Sequence, residues 1–60
     1  MTARLSYVYG GTSCVGFILE RGRAGHEAFD REEVSLGLFK TPAAAANAVF
    51  DAAMHEKGAG

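Results

Sequence analysis

Few residues in this sequence carry side chains able to do covalent or metal chemistry. Cys14, His26 and His55 are its only soft metal ligands, and no pair of them has the spacing of a zinc finger or of a helix-face site. Cys14 is the single cysteine, so no disulfide forms within the chain. With no histidine near it in sequence, the thiol reads as a buried or half-buried structural group rather than a nucleophile. Asp51 and His55 stand four apart, the spacing of a surface ion pair on a helix. The glycines of Tyr9-Gly10-Gly11-Thr12-Ser13 lack the lysine and helix start of a phosphate loop and mark a turn instead. Sixty residues also leave little room for a water-excluding pocket. The expectation is a non-enzyme with no metal, no cofactor and no small-molecule substrate.

Binding chemistry is better represented. The arginines are Arg4, Arg21, Arg23 and Arg31, and the segment Glu20-Arg21-Gly22-Arg23-Ala24-Gly25-His26 gathers Arg21, Arg23 and His26 on one loop. Such a cluster would hold phosphate oxygens, although Glu20 and Glu27 flank the loop and blunt its field; the plain alternative is a solvated loop. Tyr7 and Tyr9 share one face of a strand and would stack on bases or on a protein surface, or else pack in the core. Tyr7, Tyr9, Arg21, Arg23 and His26 are therefore the candidate nucleic-acid contacts. Against them stands a net charge of −1 and a pI near 6.0, which supplies no general attraction to a phosphate backbone.

The elements that must position these groups are those of one small domain. A chain of this length buries only about 60% of its unfolded surface, so good local structure or self-association must support it. Leu5 to Tyr9 alternates and reads as a strand; Gly10-Gly11 turns it; residues 14–21, Cys-Val-Gly-Phe-Ile-Leu-Glu-Arg, form a second strand with both faces apolar. Residues 34–39 form the third, with Gly37 expected to admit another backbone element. Residues 27–30 fit either a strand or a loop, and Asp30 with Glu33 has the spacing of a capping box that would start one helical turn, although four charged residues in a row also suit an ordinary loop. Thr41 as N-cap, Pro42 at the first helical position and the alanines that follow predict a helix over 42–56, with Gly58 as its stop and 58–60 a frayed tail. The fold class is α+β: a three-stranded antiparallel sheet packed on one C-terminal helix.

At helical spacing, Ala45, Ala48, Val49 and Ala52 make a narrow stripe. A helix with so small a face lies close to a sheet whose bulk would come from Phe17, Leu36 and Phe39. Phe50 and Met54 fall beside that stripe, and Tyr7 lacks an internal partner. Phe50, Met54 and Tyr7 are the candidate protein-interface residues, for a homodimer or another protein.

Leu36, Gly37, Phe39, Thr41, Ala45, Ala46, Ala48, Ala52 and Ala53 together resemble the plant-type AP2 DNA-binding domain and its relatives, the arm-binding N-terminal domains of phage and transposon integrases. The resemblance implies three strands followed by a helix, and duplex DNA read by the sheet face opposite the helix through arginine and tryptophan side chains. This chain has no tryptophan, and Ser35 stands where the family's third-strand tryptophan would fall. Two roles are expected: first, a self-associating or protein-binding module acting through an apolar patch; alternatively, duplex DNA binding through the sheet face. No apolar run approaches the roughly 20 residues of a membrane span and the start lacks an export signal, so a cytoplasmic location is expected.

Overall fold

The computed structural model describes the backbone of residues 4–59 and the side chains of residues 4–54. Four strands follow one another as an antiparallel meander: β1 (Arg4–Gly10), β2 (Ser13–Glu20), β3 (His26–Asp30) and β4 (Ser35–Phe39), in the spatial order β1-β2-β3-β4. The helix α1 (Pro42–Ala59) lies on one face, chiefly over β2 and β3. The sheet thus has four strands rather than the three read from the sequence. The segment left open at 27–30 is a strand because it finds partners on both sides: Phe17 opposite Phe29 and Ile18 opposite Ala28 in β2, Gly37 opposite Ala28 in β4.

Local chemistry explains the connections. Gly11, at φ 68°, carries the tight β1–β2 turn, which a left-handed residue suits. Between β2 and β3 the chain makes one 3-10 turn over Gly22–Ala24. Of the helical turn and the loop that residues 30–33 allow, the chain makes the loop. Asp30 Oδ1 accepts from the backbone N–H of Glu32 (2.9 Å) and of Val34 (3.0 Å). Glu33 donates its backbone N–H to the Asp30 carbonyl, and the Asp30 N–H goes to the Val34 carbonyl. The Asp30 side chain closes this loop rather than capping a helix, its own N–H goes to the Val34 carbonyl, and Glu33 at φ 68° cannot continue a helix.

At α1 the start is as the sequence predicts: the Ala44 N–H donates to Thr41 Oγ1 at 3.1 Å and the Ala45 N–H to the Thr41 carbonyl at 3.2 Å. The helix runs on through Gly58 to Ala59; of the residues read as a tail, Gly60 lies outside the described residues, as does the side chain of His55.

The core is small. Val8, Ile18, Ala28, Ala45 and Val49 are its buried residues, with Val15, Leu36, Phe39, Ala46 and Ala48 packed around them. The alanine stripe therefore does seat against the sheet, and Leu36 and Phe39 supply bulk. Phe17 does not: it lies on the opposite face, stacked on Phe29. The close approach of helix to sheet is made at Gly16, not Gly37. A Cβ on Gly16 would overlap the Phe29 carbonyl oxygen and come within 2.6 Å of Val49 Cγ1, whereas one on Gly37 would meet only the Phe39 ring at 3.8 Å. Gly37 is required for its φ of 121°, a value that side chains disfavour.

Candidate functional site: the helix-free face of the sheet

Alternation along each strand divides the side chains between two faces. Val8, Gly16, Ile18 and Ala28 look toward α1. The other face carries Leu5, Tyr7 and Tyr9 from β1, Phe17 and Leu19 from β2, Glu27 and Phe29 from β3, and Ser35 and Leu38 from β4. Nothing within the described chain covers this face. Leu5 is 49% exposed, Tyr7 60%, Tyr9 56% and Leu38 53%.

A row of rings crosses three strands. Tyr7 meets Phe17 edge-on, with centroids 6.4 Å apart at 65°, and Phe17 stacks on Phe29 at 4.7 Å and 10°. Because Tyr7, Phe17 and Phe29 are directly opposed in register, each ring restrains the next, as cross-strand aromatic pairs do. The outcome is a continuous aromatic strip across three strands.

Among the described strand residues, charge enters the face at Glu27 and is neutralised there. Glu27 Oε1 accepts from Arg21 Nε at 2.5 Å, and Glu27 Oε2 accepts from the Ser35 hydroxyl at 2.6 Å. The Ser35 hydrogen bond, then the Arg21 partner, hold the Glu27 carboxyl below its ordinary value of 4.5. Arg21 is thus engaged within the sheet face, and the position compared with the tryptophan of AP2-like domains holds a serine turned to Glu27.

The remaining candidates are dispersed. Arg23 is exposed on the 3-10 turn. His26 lies on the helix side, where it lines a 280 Å³ cleft with Arg4, Ser6, Ile18, Glu20 and Pro42; that is below the roughly 300–1,000 Å³ of small-molecule sites. Tyr7, Tyr9 and Arg21 therefore share a face that His26 does not reach. Phe50 and Met54 sit at the other layer of the molecule, on α1 beside Gly10 and Val15, where they border an open groove; Met54 is 73% exposed. The structure separates them from Tyr7. Cys14 is exposed rather than buried, its Sγ donating to the Gly16 carbonyl at 3.3 Å, because it stands opposite Tyr9 on the helix-free face. Among the described residues no three His, Cys, Asp or Glu side chains converge as a metal site, and no helix is long and apolar enough to cross a membrane.

Sequence reasoning missed Leu5, Phe17, Leu19, Phe29 and Leu38 as members of one surface. The signal available was the ring-bearing alternation of Tyr7 and Phe17 across a hairpin, which identifies a shared face only once the register is known. Compared with protein-family models, with curated proteins and with solved structures, the chain gives no match.

Proposed function

We propose that this domain is a non-catalytic interaction module whose docking surface is the helix-free face of its sheet. One observation carries the reading: most of the large apolar side chains of the sheet, Phe39 and Leu36 apart, stand outside the core. The buried cluster is built from alanine, valine and isoleucine, while Tyr7, Tyr9, Phe17, Leu19, Phe29, Leu5 and Leu38 line the uncovered face. Contiguous exposed apolar surface of this kind marks interaction sites, and tyrosine and phenylalanine are residues that protein interfaces favour.

Duplex DNA binding in the manner of AP2-like domains draws on the same face and on Tyr7 and Tyr9 as stacking groups. It is the less supported role, because two of the residues read as DNA contacts are not available on this face: Arg21 is bound to Glu27 and His26 belongs to the other side. A protein surface asks for apolar contact with few charges, which is what the face presents.

The test is site-specific photo-crosslinking in the cells that make the protein, with the reactive group placed at Tyr7, at Leu38 or, as control, at Asn47 on the exposed side of α1. Covalent protein adducts from Tyr7 and Leu38 but not from Asn47 are expected. Adducts absent from both face positions, or DNA adducts in their place, would overturn the reading.

A further inference from the structure

Resting on that reading of the open face, we propose that its occupant is a second copy of this chain, packed sheet to sheet about a two-fold axis lying between the sheets. The product is a four-layer sandwich of helix, sheet, sheet and helix.

The area is sufficient. With roughly 150–250 Å² for each aromatic side chain and somewhat less for leucine, the exposed fractions of Tyr7, Tyr9, Leu5 and Leu38, together with the half-buried Phe17, Leu19 and Phe29, leave on the order of 500 Å² open. Two copies would remove about 1,000 Å² of apolar surface alone, which reaches the size at which a protein interface becomes stable. Measured against one chain's total accessible surface of 4374 Å², a single face is near the roughly 10% that stable partners commit.

Composition points the same way. A two-fold interface must complement itself, and an apolar strip on which Glu27, the one charged residue among the described strand residues of the face, is internally satisfied does so without opposing like charges. Both carboxylate oxygens of Glu27 already have donors in their own chain, so covering them strands no unpaired charge. Sheets of this kind pack about 10 Å apart with strands inclined by about 30°, and side chains the size of Phe17 and Tyr7 fill that gap. A second layer would add to a thin core, since among the described residues Val49 is the only sizeable side chain that is fully buried, and domains this small commonly gain stability by association.

Sedimentation equilibrium of the purified full chain tests the inference, with Tyr7→Glu and Leu38→Glu as face variants and Met54→Glu as a control on the helix. Both face positions are more than half exposed, and circular dichroism checks that each variant folds; Tyr7→Ser and Leu38→Ser carry the test if the charged forms do not. The expected wild-type mass at about 100 μM is twice the 6.3 kDa of one chain, a concentration well above a micromolar dissociation constant. Each glutamate should weaken association at least about a hundredfold, because the two-fold buries an unpaired carboxylate twice in one interface, and Met54→Glu should leave it unchanged. Hydrogen exchange adds a geometric readout: the β1 amides that point away from β2 should exchange as freely in the dimer as in the monomeric variants. A strict monomer up to about 1 mM, a dimer lost with Met54→Glu but not with the face variants, or protection of the outer β1 amides through edge pairing would each overturn the inference. A purified monomer whose Tyr7 crosslinks a foreign protein in cells would overturn the second copy as occupant and leave the docking face standing.

Discussion

Gly16→Ala is the most demanding perturbation of this architecture. The added methyl overlaps the carbonyl oxygen of Phe29, comes 2.6 Å from Val49 Cγ1 and 3.3 Å from Asp30 Cα. Two of these three are backbone atoms held in the β2–β3 ladder, where Gly16 opposes Asp30, so only a lift of α1 or a parting of the strands relieves the overlap. Overpacking of this sort costs about 1–3 kcal/mol, and more when backbone must move. A domain of 60 residues has a total stability of about 3–9 kcal/mol, so the loss is a large share of it. At roughly 4–8 °C per kcal/mol for domains of this size, the melting temperature should fall by about 10–20 °C. Gly11→Ala is the control: its Cβ meets nothing within 4 Å, and its φ of 68° is the whole penalty, about 1–2 kcal/mol. Melts followed by circular dichroism at equal protein concentration, which matters if the chain self-associates, should rank Gly16→Ala below Gly11→Ala. A Gly16→Ala protein melting within about 3 °C of wild type would mean that the helix does not rest on Gly16, and the assignment of the two sheet faces would go with it.

Two further outcomes follow from the local chemistry. Thr41→Ala removes the acceptor for the Ala44 N–H and should cost about 1 kcal/mol, while Thr41→Gly costs only a few tenths; equal losses in urea melts would show that the hydroxyl does not cap. The Glu27 carboxyl titrates below its ordinary 4.5 because of Ser35 and then Arg21, so its contribution to stability is fully present above pH 4.5 and declines as the pH falls through the lowered value. Glu27→Gln should flatten that part of the acid dependence, and salt should weaken the effect because the pair is at the surface; an unchanged acid slope in the variant would refute the assignment.

Much of the frame is a matter of local chemistry and is visible in the chain itself. Thr41 and Pro42 start a helix wherever they precede alanines, because capping needs only the next three residues. Gly10-Gly11 reverses a strand for the same reason, and Asp30 caps its own loop. The alanine stripe announces a close helix–sheet contact before any sheet is drawn. The fourth strand is different, since residues 26–30 are held extended by β2 on one side and β4 on the other, and neither neighbour is written into their own pattern.

The candidate site was decided later still. Both faces of β2 are apolar, so hydrophobic patterning alone leaves its orientation open. A bulge resolves it: Tyr9 pairs with Cys14 but Val8 pairs with Gly16, leaving Val15 as an extra residue. Counted from the turn without that bulge, Val8 would oppose Val15 and Phe17 would face the helix. One inserted residue turns every later side chain of the strand to the other face, sending Gly16 under Val49 and Phe17 and Leu19 outward beside Tyr7. The chain alone determined that there would be a sheet, a small-faced helix and more large apolar groups than one core holds; only the packing of Val49 against Gly16 decided which of those groups were left outside, because that contact admits no side chain and so sets the register of everything beyond it.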